Sequence, residues 1–108
     1  MRSTFRKQIT IKKLIQFNCS SAKNELTYDI DYMFIECGIN LFGYNKSSDT
    51  YWGKIIDSKN CTLHFTVNVE QLFNSNQSSI NICIFHGENR IINQFYNDFY
   101  IKIKELDE

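Results

Sequence analysis

The sequence predicts an all-β fold, an antiparallel β-sandwich of about seven short strands. Apolar and polar residues alternate along several short runs, which is typical of half-buried strands. Clusters of Asn, Ser and Gly separate these runs at intervals of about eight to twelve residues, as turns do in sandwiches. The 9 Phe and 6 Tyr residues also favour strands.

Length and composition predict one globular domain over residues 1–108, because 43 % of the residues are hydrophobic. The 12 basic and 12 acidic residues balance, whereas a dedicated nucleic-acid-binding protein usually has a basic excess. No apolar run approaches the roughly 18 residues that a membrane helix needs. We therefore expect neither nucleic acid nor a membrane as the partner.

Phe5–Phe17 is predicted to be one strand, or two strands with a bend near Lys12-Lys13. Apolar residues of one parity define it: Phe5, Ile9, Ile11, Ile15 and Phe17. A basic amphipathic helix is the alternative, because Ile11, Leu14 and Ile15 also fit helical steps, but the β-branched content favours the strand. The basic charges of Met1–Gln16 are interpreted as a solvated face rather than a phosphate or membrane site.

Six further strands are predicted along the rest of the chain. They are Leu26–Cys37, Ile39–Tyr44, Tyr51–Ile56, Thr62–Val69, Ile80–Phe85 and Phe99–Ile103. In Thr62–Val69 the side chains expected to face inward are Leu63, Phe65, Val67 and Val69. Asn45–Thr50 and Asp57–Asn60 are predicted turns, and His86–Asp98 is a predicted turn or long loop.

The cysteines and the N-terminus indicate a reducing compartment. Cys19, Cys37, Cys61 and Cys83 form no CxxC pair, which argues against a structural zinc site. No signal peptide is visible, so we expect a cytoplasmic protein with reduced thiols. For the same reason the four N-glycosylation triplets are interpreted as chance matches.

Several segments between Asp29 and Ile103 carry a family resemblance. They are Asp29-Ile30-Asp31 with Phe34-Ile35, Phe42-Gly43-Tyr44-Asn45 with Lys46-Ser47-Ser48-Asp49, Val67-Asn68-Val69 with Leu72, Ile82-Cys83-Ile84-Phe85-His86, Phe95, and Tyr100-Ile101-Lys102-Ile103. Their order and approximate spacing resemble the TerD-like tellurium-resistance and stress-response family of β-sandwich proteins. The resemblance implies a non-enzymatic binding or scaffold module.

The resemblance also implies a calcium site, which this sequence has largely lost. The family's acidic Gly-Asp loop corresponds to KIIDSKNCT here, where Asp57 is the only acid. Calcium requires about six to eight oxygen ligands. The remaining candidate ligands are Asp29, Asp31, Asp49 and Asp57. We expect calcium binding to be weakened or lost and no other cofactor to be needed.

The family domain continues for several strands beyond the position of Ile103. Either this protein is a reduced version or strands are missing from the sequence. A sandwich that lacks strands exposes an edge that needs pairing or protection. We therefore expect a homodimer or an obligate protein partner.

Catalysis is not expected, because neither His64 nor His86 has an evident nucleophile or second ligand. The residues expected to bind a partner surround the Asn45–Thr50 turn, where an exposed apolar patch is predicted. They are Phe42, Tyr44, Tyr51 and Trp52, although a lone Trp in a small β domain is more often a core residue. The sequence thus predicts a cytoplasmic protein-binding module. The alternative is a small phage- or virus-encoded antagonist that sequesters a host protein or signalling ligand.

Overall fold

The computed structural model describes residues 10–73 and 75–106. In chain order the elements are β1 (Lys13–Cys19), α1 (Lys23–Tyr28), α2 (Ile30–Glu36), β2 (Leu41–Asn45), β3 (Thr50–Asp57), β4 (Asn60–Gln71), β5 (Ser78–Gly87) and α3 (Asn89–Leu106). The strands form one antiparallel sheet in the order β1-β5-β4-β3-β2. Strands β1 and β2 are therefore the two edges.

The two central strands confirm the predicted alternation. Leu63, Phe65, Val67 and Val69 of β4 are buried, while the residues between them are only partly buried. Ile80, Ile82 and Ile84 of β5 are buried in the same way. Polar and apolar residues sort onto the two faces because successive side chains of a strand point in opposite directions.

The strand predicted over Leu26–Cys37 is wrong, because this segment forms α1 and α2. Leu26, Ile30, Met33, Phe34 and Cys37 are buried, and their steps of four, three, one and three follow one side of a helix. Tyr28 and Tyr32, which the strand prediction placed beside Ile30 and Phe34, are 87 % and 61 % exposed.

The strand predicted over Phe99–Ile103 is also wrong, since these residues lie within α3. The buried residues of α3 are Ile92, Phe95, Phe99 and Ile103, at helical steps of three, four and four. The loop predicted over His86–Asp98 is the end of β5 followed by the first half of this helix.

The mostly β composition is confirmed, but the sandwich of about seven strands is not. Five strands form a single sheet, and helices rather than a second sheet cover one of its faces. One aromatic cluster joins the two layers. The Phe65 and Phe95 rings are stacked with centroids 4.2 Å apart, and the Phe34 centroid lies 5.3 Å from that of Phe65 and 5.7 Å from that of Phe99. Offset and edge-to-face aromatic pairs of this kind add to the stabilisation from apolar burial.

The other face of the sheet is covered by no element between residues 10 and 106, with Asn74 outside the described chain. Leu14, Trp52, His64 and Phe85 lie on this open face and are partly or largely exposed. The predicted first strand is confirmed over 13–17, within β1, whereas Ile11 lies before β1 and Phe5 and Ile9 lie outside the described residues. Within the described chain, no helix combines the length and the apolar character needed to cross a membrane.

Candidate functional site

The predicted partner-binding residues lie on the hairpin formed by β2 and β3, and the sheet divides them between its two faces. Phe42 packs edge-to-face on Phe34, with ring centroids 6.0 Å apart, so it points into the core. Tyr44 and Tyr51 are cross-strand partners on that same side, with centroids 4.6 Å apart. Trp52 follows Tyr51 directly and therefore points to the open face.

Trp52 lies flat against the backbone of the neighbouring strand. A Cβ atom on Gly43, its cross-strand partner, would come within 2.7 Å of Trp52 Cζ2 and 2.8 Å of Nε1. Because Gly43 has no side chain, the indole ring of Trp52 can pack directly against its backbone. The Lys54 ammonium lies 6.0 Å from the centre of that ring, at the outer limit of a cation–π contact.

Hydrogen bonds within the hairpin turn hold Tyr44 in place. Its hydroxyl donates to Asp49 Oδ1 at 2.7 Å, and the Lys23 ammonium pairs with the other oxygen of the same carboxylate. The hydrogen bond from Lys23, followed by that from Tyr44, lowers the pKa of Asp49. The same contact with Asp49 raises the pKa of Tyr44. The exposed Tyr44 side chain is thus anchored through its hydroxyl.

Strand β2 forms one edge of the sheet and contains no charged residue over Leu41–Asn45. Its pairing with β3 is regular, whereas the β3–β4 and β4–β5 pairs each contain a register shift. Just before β2, Asn40 Nδ2 donates a hydrogen bond to the Ile56 carbonyl at 2.7 Å, and the Ile56 N–H donates to Asn40 Oδ1 at 2.9 Å. This side chain thereby continues the hydrogen bonding between β2 and β3. The result is a regularly paired, uncharged strand edge.

The four predicted metal ligands are placed in separate parts of the fold. Asp29 stands between α1 and α2, and Asp31 lies in the first turn of α2. Asp49 is engaged with Lys23 and Tyr44, and Asp57 ends β3. Over residues 10–73 and 75–106, no three His, Cys, Asp or Glu side chains are grouped so that they could hold a metal ion.

A cleft of about 340 Å³ lies at the end of the sheet where β5 is followed by α3. Lys12, Cys61, His86 and Glu88 are among its lining residues. The Lys12 ammonium donates a hydrogen bond to the Gly87 carbonyl, and the Cys61 thiol donates to the Leu63 carbonyl at 3.2 Å. Both groups are therefore engaged by backbone carbonyls, which is the usual state of polar groups that are partly buried.

His64 lies on the open face beside Phe85, with ring centroids 5.2 Å apart. Partial burial, and then the charges of Lys54 and His86, lower the pKa of His64 below its ordinary value near 6.5. The unfolded chain therefore binds the proton more readily than the folded one. Stability contributed by neutral His64 is complete above the unfolded pKa and decreases as the pH falls through it.

We expect the wild-type protein to lose more stability than the His64→Gln variant between about pH 7.5 and about pH 5.5, because glutamine does not titrate. Urea unfolding at the two pH values measures the difference. An NMR titration of the His64 ring should give a pKa below that of a free histidine, and Lys54→Met should raise it. An equal loss of stability in the wild-type and variant proteins would contradict a lowered pKa of His64 in the folded protein.

Sequence analysis missed a second exposed surface, on the helical layer. Tyr32 of α2 and Leu106 of α3 line a groove between these two helices, and Ile35 of α2 and Tyr28 at the end of α1 are also exposed. Steps of four and three residues separate Tyr28, Tyr32 and Ile35, so a helical interpretation of this segment would have predicted these exposed apolar residues.

The Cys37 thiol lies at the end of α2. Burial raises its pKa to about 12, which makes it a poor nucleophile.

No family model matches the sequence. The curated proteins likewise give no match to it. The function is therefore inferred from the geometry of the fold and its surfaces.

Proposed function

We propose that this domain is a non-enzymatic protein-binding module that accepts an extended segment of a partner protein as an added strand along β2. The observation that supports this most directly is that an uncharged edge strand carries the exposed side chains of Leu41 and Tyr44. An edge strand presents a row of backbone N–H and C=O groups that another extended chain can pair with.

Natural sheets usually protect such edges with Lys, Pro, bulges or a covering element. Strand β2 has no Lys, no Pro and no bulge, and within the described part of the chain it pairs only with β3. The opposite edge differs, because β1 starts at Lys13 directly after Lys12. Of the two edges, β2 is thus the better template for an added strand.

Apolar side chains flank β2 on both faces of the sheet. Leu41 is 46 % exposed on the open face, where its cross-strand partner is Lys54 and Trp52 lies diagonally across on β3. Tyr44 is 46 % exposed on the helix-covered face, against Tyr51. Successive side chains of an added strand would meet one apolar group on each face, which supplies specificity to backbone pairing. Because the strand is short, we expect an affinity of roughly micromolar Kd.

A second copy of the chain is the second candidate occupant. Two β2 strands paired antiparallel about Gly43 would place Leu41 opposite Asn45, and no like charges would meet. The resemblance to the TerD-like family, the phage- or virus-encoded antagonist and the cytoplasmic location stay predictions. Both a TerD-like binding module and a phage- or virus-encoded antagonist would need a surface that contacts another molecule.

The proposal is tested with two matched substitutions on opposite edges. Short peptides are selected from a random library on the immobilised domain, and their affinity is measured by fluorescence anisotropy. Leu41→Lys places a charge on β2 and should weaken the selected peptides about tenfold or more. Leu14→Lys, at a leucine of β1 that is 63 % exposed, should leave the affinity unchanged.

Light scattering on the same samples separates the two occupants. A monomeric wild-type protein whose peptide binding is sensitive only to Leu41→Lys supports the added strand. A dimer that Leu41→Lys dissociates favours the second copy. A library that gives no binder to a monomeric domain, or equal losses in both variants, would contradict the proposal.

A further inference from the structure

A groove lies between α2 and the last turns of α3, on the side of the molecule opposite the open sheet face. We call it the α2–α3 groove. Its lining residues are Asp29, Tyr32, Met33, Lys102, Glu105 and Leu106, and its volume is about 200 Å³. Buried Met33 forms the floor, and the partly exposed rings and chains of Tyr32 and Leu106 form the walls. Small-molecule sites usually measure about 300–1,000 Å³, so this groove is better suited to one large apolar side chain of a protein partner.

The apolar surface extends beyond the groove along both helices. Ile35 is exposed three residues after Tyr32 and therefore lies on the same side of α2, and Tyr28 is exposed at the end of α1. On α3, Ile101 is exposed four residues before Glu105, on the outer flank of the groove. Several large apolar side chains are thus exposed on the helical layer of a small domain, and exposed apolar surface indicates an interaction site.

The two helices run in opposite directions along the groove. Glu36, at the end of α2, reaches Lys102 with a separation of 3.6 Å, while Asp29, just before α2, lines the groove together with Leu106, at the end of α3. Side chains of two adjacent helices leave a channel into which the side-chain ridge of a third helix packs. The shape therefore favours a helical partner segment over an extended one.

The rim of the groove carries excess negative charge. Its six lining residues include two acids, Asp29 and Glu105, and one base, Lys102. That base is already engaged, since its ammonium lies 3.6 Å from Glu36 and 3.9 Å from Glu105. The Tyr32 hydroxyl donates to Glu36 at 3.0 Å, which fixes the ring and raises the pKa of Tyr32. Negative rims attract Lys and Arg on a partner and disfavour acidic ones.

We propose that the α2–α3 groove binds a basic amphipathic helix of a partner protein. One large apolar side chain of that helix sits over Met33 between Tyr32 and Leu106, and its Lys or Arg residues lie beside Asp29 and Glu105. This site is independent of the strand-binding edge, because none of its residues belongs to the sheet. The domain would then contact a strand and a helix on two separate surfaces.

The probe is a synthetic amphipathic helix of Leu and Lys with about 18 residues, which makes five turns. Two controls have the same length: a Leu/Glu peptide with the same pattern, and a Leu/Lys peptide of scrambled order. We expect the patterned Leu/Lys peptide to bind and the two controls to bind about tenfold more weakly or worse. Binding should weaken as salt is raised, because the charged rim is exposed. Amide shifts in NMR spectra should locate it at Tyr32, Ile101 and Leu106.

Exposed residues supply matched variants that keep the fold intact. Tyr32→Ser should weaken the Leu/Lys peptide about tenfold, and Glu105→Gln should weaken it less, whereas Leu14→Ser on β1 should not change it. Circular dichroism verifies that each variant is folded. Equal binding of the Leu/Glu or scrambled peptide, no binding of the Leu/Lys peptide, or insensitivity to Tyr32→Ser would overturn the proposal. A wild-type dimer that Tyr32→Ser dissociates would also overturn it, because a second copy would then occupy the groove.

Discussion

Replacing Phe99 with alanine is expected to lower the free energy of unfolding by about 3–5 kcal/mol. Phe99 is 1 % exposed and lies at the centre of the contact between α3 and the rest of the core. Its ring centroid is 5.5 Å from that of Phe95 and 5.7 Å from that of Phe34. Truncation would remove these ring contacts and leave a cavity that the surrounding side chains can close only in part.

Ile101→Ala is the matched control for this prediction. Ile101 lies two residues further along α3 and is 54 % exposed, so its loss should change stability by no more than about 0.5 kcal/mol. On a strand, Phe99 and Ile101 would point to the same face and both substitutions would be costly. Urea unfolding followed by circular dichroism measures both variants. Similar losses of stability in the two variants would contradict the helical conformation of this segment.

Gly53→Ala is expected to destabilise the protein by about 1–3 kcal/mol through overpacking. A Cβ atom at Gly53 would overlap the Phe65 ring, coming within 2.8 Å of its Cε1 atom, and would press on Ile39 at 3.1 Å. Phe65 is fully buried and stacked on Phe95, so its ring has no free space into which it can move. Calorimetric or urea unfolding of the variant gives the loss of stability.

Gly43→Ala provides the comparison for Gly53→Ala on the neighbouring strand. Its Cβ would also meet an aromatic ring, that of Trp52. Trp52 is only partly buried on the open face, so the indole can swing toward solvent and the loss should be smaller. Fluorescence of the single Trp should shift to longer wavelength in this variant. A larger loss for Gly43→Ala than for Gly53→Ala would be inconsistent with the assigned faces of β3.

The central strands β4 and β5 could be predicted because apolar and polar residues alternate along them. The Asn45–Thr50 turn could be predicted from its Asn, Ser and Asp residues. The helices were missed because residues four positions apart lie on the same face both in a strand and in a helix. Ile30 and Phe34, and likewise Phe99 and Ile103, would share one face of a strand and do share one side of a helix. Large exposed residues between them, such as Tyr32, completed the apparent alternation.

The candidate site could be predicted in position but not in geometry. The sequence placed Phe42, Tyr44, Tyr51 and Trp52 beside one turn, and they do adjoin on one hairpin. Which of them remain accessible depends on which face the helices cover, and that required the tertiary structure. The α2–α3 groove could not be predicted, because its residues Tyr32, Met33 and Lys102 lie in segments expected to be strands.

The central claim is that β2 accepts an added strand, and amide hydrogen exchange tests it most directly. Exchange of the Leu41–Asn45 amides is measured by NMR with and without a library-selected peptide. Protection gained on alternate amides of β2, and not on Lys13–Cys19 of β1, is the result we predict, since only every second backbone N–H of an edge strand points outward. Unchanged exchange along β2 in the presence of saturating peptide, or new protection along β1, would contradict the claim.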